Sequence, residues 1–188
     1  MEELLMFLCS IYPQSPECLD YLRKIIKYKK VRKDEFILRE GDVCRNLYFI
    51  KKGALWCFYY VKDEAVSDWF FWENETVVAI GSFYDQVPSE EAIQALEDCE
   101  LFYISFDELE YLYKHFIEFN VIGRVLTVKY LKVFHQHARM IRTTSAADRY
   151  QQLLKSQPAF IQRIPLGHLA SWLNMSRETF SRKRGDID

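Results

Sequence analysis

Residues 164–185 read IPLGHLASWLNMSRETFSRKRG, and their spacing separates into two short helices about a tight turn. Pro165 suits the start of the first helix, where a missing N–H costs nothing. Leu166, Leu169, Ala170 and Leu173 then recur at helical spacing and give that helix a buried face. Asn174 sits where the chain must reverse, and Asn is the non-glycine residue most tolerant of left-handed backbone. Ser176 is an N-cap for the second helix, and Glu178 suits the positive end of its dipole. Phe180 turns inward, which leaves Arg177, Ser181, Arg182 and Arg184 facing outward. Arginines near the start of an exposed helix suit a DNA major groove, because the guanidinium fork takes guanine O6 and N7 together.

The charge distribution agrees with that reading. The 188 residues carry 25 Lys and Arg against 27 Asp and Glu, a net charge of −2. Residues 123–188 hold 12 of the bases and only four acids, Asp148, Glu178, Asp186 and Asp188, for a net +8. The first 122 residues are left with −10. A basic C-terminal third suits a polyanionic partner, since neutralised phosphates supply most non-specific nucleic-acid affinity.

Upstream, Ser15 and Pro16 open an amphipathic helix, and the basic run from Lys24 to Lys33 is a solvated face leading into a strand. From Glu35 to Ile104 short apolar stretches alternate with turn signals: EFILREGD, LYFIKKGALWCFYYVKDEAVSDWFFW, TVVAIGSF, AIQAL and ELFYIS. Such β-branched and aromatic segments predict a sandwich or small barrel, with Gly41, Gly53 and residues 62–64 at turns. The period then becomes helical. DELEYLYKHF predicts a short helix, and a longer one runs from Glu118 to Arg142. Its apolar residues trace two stripes, Ile122, Leu126, Tyr130 and Val133 beside Val121, Val125 and Val128. A helix on one core needs a single stripe, so the second predicts either a wide buried face or a partner copy. Thr144 or Ser145 caps a further helix, which ends in KSQPAFIQRIP before the closing motif.

Two segments carry a resemblance to the Crp/Fnr family of bacterial transcription regulators. MSRETFSR (175–182) resembles that family's recognition helix, in which Ser-Arg-Glu-Thr is followed three residues later by Arg. EGDVCRNLYFIKKGAL (40–55) resembles the start of its cyclic-nucleotide-binding β-roll, and the order of elements matches over nearly the whole chain. The resemblance implies an α+β fold: a roll sensor over residues 1–116, a dimerisation helix over 117–143 and a helix-turn-helix over 144–188. It implies a homodimer that reads a two-fold symmetric operator on double-stranded DNA and addresses RNA polymerase. By position, Arg177, Glu178 and Arg182 would contact bases and Thr179 a phosphate. Ser176, Ser181 and Lys183 complete the candidate surface. Only six residues follow Arg182, so the strands that usually follow the recognition helix, and their phosphate contacts, are not expected.

The effector region departs from the family's pattern. Cyclic-AMP binders carry a Gly-Glu-Leu turn and then Arg-Ser or Arg-Thr. Here the turn is Gly81-Ser82-Phe83, and Ser89 and Glu90 stand in the downstream positions. A cyclic phosphate would lose its cation and face Glu90 and Glu91, at a cost of about 1–4 kcal/mol for like charges ~4–6 Å apart. Cyclic AMP is therefore not the expected effector, and no cofactor is expected. Tyr60, Trp69, Phe71 and Phe83 either wall a pocket for another ligand or fill it themselves.

Other classes fare worse. The five cysteines are scattered without a C-x-x-C pair, which suits a reducing cytoplasm and supplies neither a disulfide framework nor an iron–sulfur ligand set. Glu2 and Glu3 stand where a signal peptide needs positive charge, and no run reaches the ~18 apolar residues of a membrane span. A jelly-roll metalloenzyme needs histidines on roll strands, and His115, His135, His137 and His168 all lie outside them. The remaining alternative is a roll that binds a ligand or partner without binding DNA.

Overall fold

The structure is a computed structural model and describes residues 1–156 and 158–185, with side chains for all of these except 156, 158–160 and 183–185. The chain forms two compact units. The first comprises Met1–Cys57 and Phe70–Lys129; the second comprises Phe58–Trp69 and the chain from Tyr130 onward.

The first unit opens with α1 (Glu2–Ile11), which buries Leu4, Leu5 and Leu8. In α2 (Pro16–Ile25) the Ser15 hydroxyl caps the helix by accepting the Cys18 N–H at 3.2 Å, with Pro16 at the first position. The strands follow as β1 (Lys27–Val31), β2 (Phe36–Leu38), β3 (Asn46–Lys52), β4 (Leu55–Val61), β5 (Glu64–Phe71), β6 (Thr76–Val77), β7 (Glu91–Ala95) and β8 (Cys99–Ser105). They make two sheets, ordered β1-β8-β3-β6 and β2-β7-β4-β5, the β-roll that the family resemblance implies. Antiparallel pairing sets Phe49 opposite Phe102 and Ile50 opposite Leu101, so apolar pairs stabilise the sheet. Gly53 takes φ +105° beside Cys99, where a Cβ would stand 2.5 Å from the thiol sulfur; the turn admits glycine alone.

TVVAIGSF departs from its expected strand. Pairing with β3 covers only Thr76 and Val77, after which the chain winds into α3 (Ile80–Asp85). The Phe83 N–H reaches the Ala79 carbonyl at 2.8 Å. A short apolar run suits strand and buried helix equally, and here burial of Phe83 inside the unit decides for helix. Next, α4 (Phe106–His115) starts with a capping box: Ser105 accepts the Glu108 N–H, and Glu108 accepts the Ser105 N–H. The long α5 (Ile117–Thr143) buries Phe119 and Ile122. Its start is tied to α2 through Glu118, whose Oε1 accepts from the Ser15 hydroxyl at 2.5 Å.

In the second unit, β4 and β5 meet at Lys62 and Asp63, both with positive φ (49° and 65°). That is the two-residue turn whose twist matches a hairpin. The hairpin packs by an aromatic cluster: Trp69 lies 4.5 Å from Phe134 and 5.4 Å from Trp172, ring centre to ring centre. His137 stacks on Trp172 at 4.4 Å, and the Ser67 N–H donates to the Ser171 hydroxyl at 2.9 Å. Ser145 caps α6 (Ala146–Ser156) by accepting the Asp148 N–H. The segment after it, read from sequence only as ending that helix and leading into the closing motif, forms α7 (Pro158–Arg163), since a proline at the first position is compatible with a helix. Then come α8 (Leu166–Trp172) and α9 (Arg177–Gly185). Leu169, Ala170, Leu173 and Phe180 are buried as their spacing predicts; Leu166, at the helix start, is 41% exposed instead.

Candidate nucleic-acid interface and effector region

Asn174 adopts φ 50° between α8 and α9, as the reversal requires. Ser176 caps α9 by accepting the Thr179 N–H at 3.2 Å, and its hydroxyl donates to Thr179 Oγ1 at 3.1 Å. Phe180 is fully buried with its ring edge-on to Tyr150 at 5.0 Å. That anchor fixes the rotation of α9, so Ser176, Arg177, Glu178, Ser181 and Arg182 are all exposed and Thr179 partly so. The Glu178 carboxyl is held below its ordinary range by its own backbone N–H, the Ser176 hydroxyl and the nearby Arg177 and Arg182. Arg182 Nε donates weakly to the Glu178 carbonyl at 3.4 Å, which leaves most of its fork available. The side chain of Lys183, also a candidate, lies outside the described residues.

Arg177 has a seat that the motif did not reveal. Its guanidinium lies over Gly167 on α8, with Nε 2.7 Å from the point a Cβ would occupy there. The same charge adds to burial in lowering the pKa of His168. The sequence signal was a glycine inside a helical pattern, which points to close approach without saying of what.

On α5, Val125 and Val128 are exposed at 39% and 40%, and Ile117 (80%) and Leu131 (65%) extend the same face at three- and four-residue spacing. In the neighbouring stripe Ile122 is buried and Leu126 and Tyr130 are half-buried, while Val133 at its far end is exposed. The helix therefore carries one face on its core and one apolar face in solvent.

The candidate effector residues fall in both units. Tyr60 and Trp69 belong to the second, Tyr60 exposed and Trp69 buried in the aromatic cluster already described. In the first unit, Phe71 and Phe83 are buried, Phe83 edge-on to Phe106 at 5.4 Å. Gly81 lies exposed on α3, and Glu90 is exposed beside β7. The two serines are committed. Ser82 Oγ accepts the Cys44 N–H at 2.8 Å and donates to the Val87 carbonyl at 2.6 Å. Ser89 Oγ accepts the Glu91 N–H at 3.0 Å and donates to the Glu91 carbonyl at 2.8 Å. A pocket of about 460 Å³ opens elsewhere in this unit, between β2 and β3, against Leu38, Asp42, Cys44, Arg45 and Tyr48.

Residues 28–116 match the cyclic nucleotide-binding domain family. No curated protein sequence matches the chain. Among solved structures, FixK2 from Bradyrhizobium japonicum aligns with a TM-score of 0.76 at 16% identity, over 87% of this chain and 84% of that one. CLP of Xanthomonas campestris, a global regulator responsive to c-di-GMP, gives 0.71 at 20% identity over 92% and 91%. A Eubacterium rectale protein assigned to the crp/fnr family of transcriptional regulators gives 0.73 at 14% identity over 95% and 87%. The chain thus has a cyclic-nucleotide-binding-type roll followed by helices, and its fold is that of the Crp/Fnr regulators. No helix among the described residues is long and apolar enough to cross a membrane.

Proposed function

We propose that the chain is a homodimeric, sequence-specific DNA-binding transcription regulator, acting in the cytoplasm and addressing RNA polymerase, with no enzymatic activity and no bound cofactor. In this reading residues 1–116 are the sensor, 117–143 the dimerisation helix and 144–188 the reader. The observation that carries it is α9: a capped helix anchored by Phe180, presenting Arg177, Ser181 and Arg182 to solvent. The exposed apolar face of α5 supports the homodimer, which would set two such helices in successive major grooves about 34–36 Å apart. Selection from random duplexes should return an inverted repeat. Arg177→Ala and Arg182→Ala should each cost about 1–3 kcal/mol and relax one base position per half-site. No enriched sequence at low salt would leave a roll that binds a ligand or partner without reading DNA.

Cyclic AMP is not its effector in this reading. The Ser82 and Ser89 hydroxyls are spent on main-chain partners, and Glu90 supplies the wrong charge for a phosphate. A ligand at a hundredfold excess over its Kd adds about 2.7 kcal/mol to stability. Millimolar cyclic AMP or cyclic GMP should therefore leave the melting temperature unchanged, and a clear rise in either case would restore the nucleotide site.

A further inference from the structure

Resting on the DNA-reading function above, we propose that Arg149 is a positioning residue that sets the spacing between the two half-sites the dimer reads. Arg149 lies on α6 with only 9% of its surface exposed. Its Nη1 donates to the carbonyls of Ile141 at 3.2 Å and Thr144 at 2.9 Å. Its Nη2 donates to the carbonyl of Asn174 at 3.2 Å. The first two acceptors are at the C-terminal end of α5; the third is the left-handed residue of the turn between α8 and α9.

A buried cation costs free energy unless it is compensated, and among the described residues Arg149 forms no ion pair. Compensation comes from the main-chain carbonyls of Ile141 and Thr144 at the end of α5 and of Asn174 in the turn after α8. A helix ends in unsatisfied acceptors and the negative pole of its dipole, and α5 directs that end at the guanidinium. The guanidinium is planar and its donors diverge at fixed angles, so holding three carbonyls at once fixes the directions from which they approach. The end of α5 and the turn that launches α9 are thereby locked to one another. In a dimer formed along α5, that angle decides how far apart the two copies of α9 stand, and hence the spacing of their half-sites. An ammonium in the same place keeps the charge without the fixed angles.

The test uses the full chain and duplexes carrying the selected half-site either once or as inverted repeats, with the spacer varied from two base pairs shorter to two longer. The unsubstituted protein should prefer one spacing sharply. Arg149→Lys should bind the single half-site within about threefold of it, lose about tenfold on the preferred spacing, and show a flattened spacing profile. Arg149→Gln should flatten it further. An equal loss on the single half-site and on every spacing would mark Arg149 as merely structural and overturn the proposal, as would an unchanged profile. Loss of the cooperative melting transition in both variants would overturn it too. If the unsubstituted protein selects no inverted repeat, the regulator reading fails and this proposal falls with it.

Discussion

His137 is stacked on Trp172 and edge-on to Trp69 at 5.3 Å, and this burial pulls its pKa down to about 4, against a smaller upward pull from the Trp172 backbone. A base with a depressed folded pKa leaves the unfolded chain binding more protons between the two values. The stability it supports is complete above pH 6.5 and lost as pH falls toward 4. Glu75 runs the other way: burial raises its carboxyl to about 7, so its contribution is complete below pH 4.5 and lost as pH rises toward 7. The two trends oppose one another over nearly the same window, and a difference measurement isolates the histidine. His137→Phe should close the acid-side gap by on the order of 2 kcal/mol, discounted for a half-buried group. Melting curves of both proteins from pH 7 to 4 read this directly, and parallel curves would mean the ring is not buried as described.

At the scale of elements, α4 and α5 meet at Gly123. A Cβ there would stand 2.7 Å from the Tyr113 hydroxyl and 2.8 Å from its ring edge. Replacing a helical glycine by alanine ordinarily stabilises by about 1 kcal/mol. Here a stiff ring must move, and overpacking of this kind costs about 1–3 kcal/mol. Gly123→Ala should therefore lower the melting temperature, while Gly123→Ala combined with Tyr113→Leu should recover part of the loss. This contact was invisible in the sequence, which shows a glycine in a helix but not its neighbour. Other elements were legible because their signals are local. The Ser15–Pro16 start, the Asn174 reversal, the Ser176 cap and the buried Phe180 each follow from the chemistry of one residue. The Ser105–Glu108 box carries a local signal of the same kind, a serine followed three residues later by a glutamate. The α3 helix was not legible, because a run such as VVAIGSF has no period to separate its two readings. The pocket between β2 and β3 is lined by residues 37–48 alone, but it depends on how that connection folds between its two strands, which no local signal carries. Arg149 is similar: in sequence it is one base among twelve in the basic third, and only the fold brings three carbonyls to it.

At the scale of the molecule, the proposed homodimer puts the exposed face of α5 at its seam. The helix spans 27 residues, or about 40 Å at ~1.5 Å per residue, enough for a seam of several turns. Val125→Glu would set a charge on that seam in each copy and should yield a monomer in sedimentation at micromolar concentration, with the roll still folded. A dimer that survives this change would move the interface elsewhere. The exposure of Ile117 and Leu131 has one more effect if a second copy is what covers them. Association that favours only the folded chain makes stability follow mass action, by about 1.4 kcal/mol for each tenfold change in concentration. Dilution would then lower the melting temperature of an otherwise unchanged protein. Within a cell, the abundance of the chain would govern how much of it is folded and paired, so halving its synthesis would remove more than half of the active species.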